Sequence, residues 1–277
     1  MRPFFLRMKK SVKDILKVIE EIAPVSLSEE WDNPGLQVGD TSLEVEKITL
    51  ALDPTVSALQ HALSTNAQIL LTHHPLIFRP LSKIDKGIYP SSIVFEAIRN
   101  NIAIIAVHTN LDAAKNGINH LLSDLFGLNN RNVLLERENI DSDGTGFGRI
   151  GELPEKITLA EMIAACKDLL ETDYVRVVGD TSRKIKRVAV IGGSGGRMIK
   201  VASQKGADLL ITGDVSHDAA LEAEFLGLAL IDGGHFHTER AAFKLFGRYL
   251  IERMEILKLD IIIDIYPDER PPMTWSK

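Results

Sequence analysis

From residue 47 onward, short continuous apolar runs alternate with segments of helical spacing. "KITLALDP" reads as a strand, "TVSALQHALST" as a helix, "QILLT" as a strand, "SSIVFEAIRNN" as a helix and "IAIIAV" as a strand that runs into "HTNLD". A strand that is apolar at every position, instead of every second one, is buried on both faces. The rhythm therefore predicts an α/β fold with a parallel sheet covered by helices. Ahead of it, Val12, Ile15, Leu16, Ile19 and Ile22 recur at helical spacing, with Ser11 and Asp14 placed as an N-terminal cap and Pro24 closing the helix. "AAKNGINHLLSDLFGL" continues with a helix, and the Gly- and Asp-rich "ENIDSDGTGFG" marks a lobe boundary. Beyond it come "FGRIGEL", a helix opening at Thr158 with Glu161 as capping partner, "YVRVV", "RVAVIGGSGG", "ADLLITGDVSHD", "LALIDGGHFHTER", a long helix to about Met254 and a last strand "DIIIDIYP". The expected organisation is a flexible extension over 1–10, a first lobe over 11–130, a second over 131–266 and a loose tail over 267–277.

Composition narrows the class. The chain has 277 residues and 45% hydrophobic content, enough to fill a substantial core. Its net charge is −6 with scattered Lys and Arg, which disfavours nucleic acid as a partner and argues against a ring that encircles DNA. Cys166 is the single cysteine, which excludes a disulfide framework and a multi-thiolate metal site and fits a reducing compartment. At a helical apolar position it reads as a core residue. Phe4, Phe5 and Leu6 make too short an apolar run for a signal peptide, and Met8 is a plausible alternative start. No segment has the apolar length of a membrane span. The expected location is the cytoplasm.

Ligands of open α/β sheets gather beyond the carboxyl ends of the strands. This chain concentrates its polar groups there. His73 and His74 follow one strand; His108, Asn110 and Asp112 a second; Asp214 and His217 a third; Asp232, His235, His237 and Glu239 a fourth. Of the eight histidines, only His61 and His120 fall inside predicted helices. Imidazole and carboxylate are the usual ligands of Zn, Fe, Mn and Ni, and a cluster of imidazoles without a metal repels on protonation. Metal binding is favoured over a structural role. "AQILLTHH" also matches "ADLLITGD" in a similar strand and helix context, which is either an internal duplication or the coincidence of two buried strands. "GGSGG" at Gly192–Gly196 lacks the last glycine of a dinucleotide fingerprint and a Walker lysine, so a tight strand-to-helix turn is favoured over a phosphate loop.

The motifs "EEWDNPGLQVGD", "LTHHPLIF", "VHTNLDAA", "ITGDVSHDAA" and "DGGHFHTE", in this order, resemble the YbgI-like or Nif-three-like family, whose members are often named homologues of a type-two GTP cyclohydrolase. The resemblance covers nearly the whole chain. It implies two related α/β lobes with a dinuclear divalent metal site in the cleft between them, assembled as a homohexameric toroid. Carried over residue by residue, it implies His73, His74, Asp112, His235 and Glu239 as metal ligands, with each of the adjacent imidazoles serving a different ion. His108, His217 and His237 are either groups that orient ligands or face substrate, or loop histidines without a role. Trp31, Asp32 and Asn33 match a family feature near the cleft mouth, although "DNPG" is also ordinary turn chemistry. The implied function is metal-dependent hydrolysis of a nucleotide or other small phosphorylated substrate, with Glu239, Asp112 and His108 as catalytic candidates. The alternative is an oligomeric metal-binding adaptor or regulator without turnover.

Overall fold

A computed structural model describes residues 10–136 and 144–274. Most of the extension expected over 1–10 lies outside the described residues. So do residues 137–143, within the expected lobe boundary, and 275–277 of the expected tail. The chain divides into two compact units, Met1–Asn110 with Gly247–Glu269, and Leu111–Phe246 with Arg270–Lys277.

The first unit begins with the expected helix, Val12–Ile22, which buries Val12, Ile15, Val18 and Ile19. The Asp14 carboxylate accepts hydrogen bonds from the Ser11 N–H (3.0 Å) and hydroxyl (2.9 Å), the reciprocal half of the capping arrangement. The sheet runs Ile262–Ile265, Lys47–Ala51, Ile69–Thr72, Ala103–Ala106, Gly35–Val38. The first four strands are parallel and Gly35–Val38 is an antiparallel edge. Every residue of Ile69–Thr72 and Ala103–Ala106 is buried, which is why these runs show no alternation. Helices Val56–Ser64 and Ser91–Arg99 connect them.

The second unit departs from the expected parallel sheet. Its six strands run Asn129–Glu136, Gly146–Thr158, Lys184–Ser194, Leu209–Gly213, Ala229–Asp232, Arg176–Val178. Only Lys184–Ser194, Leu209–Gly213 and Ala229–Asp232 are mutually parallel, and the outer strands are antiparallel. Asn129–Glu136, which the apolar rhythm does not reveal, and Gly146–Thr158 follow each other in sequence. Neighbours without a helical crossover pair antiparallel. The helix expected over "AAKNGINHLLSDLFGL" is confined to Ile118–Leu125, and a separate short helix, Thr109–Ala113, forms ahead of it. Between them, a Cβ on Gly117 would lie 1.7 Å from the Leu111 carbonyl oxygen. Arg149 is buried and donates to the carbonyls of Gly144, Gly146, Gly148, Ala114 and Lys115, which anchors the segment just after Asp112. Burial pulls its pKa down to about 10.

Several local features recur in the two units. Ile48 and Ile69 are register partners in the first, and Val188 and Leu209 in the second. "GDTS" precedes both Lys47–Ala51 and Lys184–Ser194: Asp40 accepts from the Ser42 N–H and hydroxyl, and Asp180 from those of Ser182. The Gln68 side chain accepts from the N–H groups of Glu46 and Lys47, and Asp208 from those of Lys186 and Arg187. Gly39 lies against Ala103 and Gly179 against Ala229, both glycines at positive φ.

Candidate metal-binding residues

In the first unit, His73 and His74 leave the end of Ile69–Thr72 and reach toward opposite neighbours. His73 Nδ1 is 2.8 Å from the Val107 carbonyl, just past one adjacent strand. His74 Nδ1 is 2.8 Å from Asp53, just past the other. His108 joins them, its Nδ1 2.8 Å from Asp32. A carbonyl or carboxylate takes a hydrogen bond only from a protonated Nδ1, so each neutral ring carries its lone pair on Nε2. Ring centroids are 5.0 to 5.5 Å apart, and one ligand-type nitrogen from each ring lies within 4.8 Å of the others. The arrangement suits a divalent ion: an acceptor that fixes one ring nitrogen and leaves the other to serve as ligand is how protein imidazoles bind metal.

Asp32 is the buried anchor of this cluster. Burial opposes its charge, but hydrogen bonds from His108 and Thr109 outweigh that and lower its pKa to about 2. The turn reading of "DNPG" is therefore incomplete, because Asp32 orients an imidazole of the cluster. Asp53 does the same for His74. Sequence reasoning did not single it out; the parallel register of Ala51 with Thr72 brings the end of "ALDP" beside the end of "THH".

In the second unit, His235 and Glu239 stand one turn apart on the helix His235–Ile256. Asp214 Oδ2 is 2.6 Å from His235 Nδ1, and Glu239 Oε2 is 3.1 Å from its Nε2. Glu239 is only 3% exposed. A carboxylate that deeply placed needs a cation or strong donors, and an Nε2 lone pair facing a carboxylate oxygen suits a metal ion well. Gly193 makes room: its φ is +66°, and an added Cβ would fall 2.1 Å from Glu239 Oε1. The strand Lys184–Ser194 runs on into "GGS", so the first part of "GGSGG" is strand, and its glycines admit Glu239 and the side chain of Thr212. Asp232 has another task, accepting from Arg176 and from the N–H groups of Val215 (3.0 Å) and Gly234 (2.9 Å). A pocket of about 600 Å³ next to His235 is lined by Tyr174, Arg176, Asp214, Phe236 and Met273, among others.

Asp112 is half-buried on Thr109–Ala113, and its carbonyl accepts from Asn119 at 3.0 Å. His217 is exposed at the start of the helix His217–Phe225. Burial lowers the pKa of His237, which bonds the Leu170 backbone. His217, His235 and His237 thus lie in first turns of helices, correcting the expectation that His61 and His120 alone are helical. Those two pair with Asp264 and Asp124. Cys166 is fully buried, as expected of a core residue, and burial pushes its thiol up to about 12.

Residues 10–269 match the sequence profile of the family described as Duf34/NIF3 (NGG1p interacting factor 3). The chain belongs to the Duf34/NIF3 family. A family relative from Clostridium acetobutylicum, named GTP cyclohydrolase 1 type 2 homolog, is 37% identical over 232 residues, 84% of this chain and 86% of its own. Among solved structures, the Staphylococcus aureus hypothetical protein SA1388 superposes with a TM-score of 0.91 at 29% identity, over 97% of this chain and 100% of that one. Protein ybgI, whose function is described as unknown, shares the fold at a TM-score of 0.81 and 23% identity, over 94% of this chain and 99% of its own. The Duf34/NIF3 assignment bears out the resemblance carried by the five motifs.

Proposed function

We propose that this chain binds two divalent ions through His73, His74, Asp112, His235 and Glu239, and hydrolyses a nucleotide or other small phosphorylated substrate. One observation carries the reading: His73, His74 and His235 each have Nδ1 held by a carbonyl or carboxylate, which orients Nε2 as a ligand nitrogen. Imidazole and carboxylate donors accommodate Zn, Fe, Mn or Ni. Bound there, such ions supply Lewis acidity and make water acidic enough to ionise near neutral pH. Asp53 and Asp214 keep the imidazoles aimed. Glu239, Asp112 and His108 are the groups proposed to accept or return a proton. The name borne by relatives points to GTP as one member of the substrate class.

The resemblance supports a homohexamer, the reduced lone cysteine supports a cytoplasmic location, and the recurring features support duplication of one ancestral unit. The decisive experiment is Glu239→Gln, which keeps the volume and one carbonyl oxygen but removes the charge. The variant is expected to retain its circular dichroism and its light-scattering mass while losing bound metal and phosphoester hydrolysis. Unchanged metal stoichiometry removes Glu239 from the ligand set. Metal binding and assembly without turnover on any nucleotide or phosphoester moves the reading to the adaptor. A monomer at all concentrations refutes the hexamer alone.

A further inference from the structure

Trp31 and Phe78 are 53% and 48% exposed, large apolar rings that the first unit leaves in solvent. Single exposed aromatics are ordinary. These two are placed together, with ring centroids 5.8 Å apart, and both stand edge-to-face with His108, at 6.0 and 6.4 Å. They therefore border the His73–His74–His108 cluster directly.

Their backbones are also tied down. Asp32, next to Trp31, is gripped by His108, by Thr109 and by its own N–H to the Glu29 carbonyl. Asn33 donates to the Ile77 carbonyl at 2.9 Å, and Ile77 N–H donates to Gln37 at 3.1 Å. The loop carrying Trp31 is thus bonded to the loop carrying Phe78. Holding exposed rings in place gives up conformational freedom without gaining burial, so the fold alone does not account for it, whereas a preformed surface reduces the ordering cost of binding.

We propose that Trp31 and Phe78 form a stacking platform for the planar heterocyclic ring of a substrate whose polar group faces the His73–His74–His108 cluster. The proposal rests on the hydrolase reading and names part of its substrate class. The ring planes are inclined at 66°, so a flat ring stacked on one meets the other edge-on, the two arrangements aromatic pairs prefer. Stacking is tolerant of base identity, since every base offers a π face. The platform therefore selects for a ring, and does not distinguish guanine from adenine.

The test uses metal-replete full-length protein carrying W275F, so that Trp31 is its only tryptophan. GTP, ATP and inorganic triphosphate are titrated by calorimetry and by fluorescence, with metal content and light-scattering mass recorded. Both nucleotides should quench Trp31. F78A, and W31A followed by calorimetry, should weaken both on the order of ten- to a hundred-fold, with triphosphate affinity and metal content unchanged, and W31F should restore most of the binding. Equal nucleotide affinity in wild type and W31A overturns the platform, as does equal weakening of nucleotide and triphosphate. A smaller assembly in W31A also overturns it, in favour of a contact between copies. If the wild type holds metal and triphosphate but no nucleotide, the platform fails and the hydrolase reading stands. If it holds no metal, that reading fails, and nucleotide quenching of Trp31 alone decides the platform.

Discussion

The two units share several backbone features and differ at the ends of the strands that carry them. Ile69–Thr72 ends in His73 and His74, whereas the corresponding strand Leu209–Gly213 ends in Gly213 and Asp214. Where the first unit carries Asp53, the acceptor that orients His74, the second carries Gly193, which admits Glu239. A Cβ on Gly213 would lie 2.5 Å from the His235 backbone nitrogen, so a glycine there allows the helix bearing His235 and Glu239 to start against the strand. The first unit thus presents imidazoles from strand ends, and the second presents an imidazole and a carboxylate from a helix. Register, edge anchors and turns recur because they hold a sheet together. Strand ends are where a sheet tolerates new chemistry.

The strongest way to break this contrast is Gly193→Ala. The new Cβ collides with Glu239 and forces a left-handed backbone on a residue that resists it, a loss of about 3 kcal/mol from overpacking and strain together. Urea unfolding measures it, and an unchanged midpoint would mean that Glu239 moves aside freely. Next in size are Asp53→Asn and Asp214→Asn, which remove the charged acceptors behind His74 and His235. Each is expected to weaken metal affinity about ten- to a hundred-fold in chelator competition. An effect in one alone would show that only one unit's imidazole binds metal.

Smaller effects test the shared features. Gln68→Ala and Asp208→Ala each strip an acceptor from two partly exposed backbone N–H groups and should cost about 0.5 to 1.5 kcal/mol. Clearly unequal losses in thermal melts would undo the equivalence of the two anchors. Smallest are Asp40→Ala and Asp180→Ala. Hydrogen bonds from Ser42 and Ser182 lower these carboxylates below the ordinary value of 3.8. Such a group stabilises the fold above that value and ceases to do so as pH falls through its lowered pKa. Both variants should melt slightly below wild type at pH 7 and approach it in strong acid. A difference that grows in acid contradicts this account.

The sequence by itself determined what is local or periodic. Continuous apolar runs located the buried strands, Ser11–Asp14 and Thr158–Glu161 located helix starts, and five ordered motifs identified the family. Those signals survive in one dimension because burial, capping and turn chemistry act between near neighbours. Tertiary structure decided the rest. That Ile262–Ile265 joins Lys47–Ala51, that Asn129–Glu136 is a strand at all, and that the second sheet is mixed depend on pairing between residues far apart in the chain. So do the orienting roles of Asp32, Asp53 and Asp214. A carboxylate carries no mark of its partner in sequence, and only the register of adjacent strands brings Asp53 to His74 or the turn after Glu29 brings Asp32 to His108.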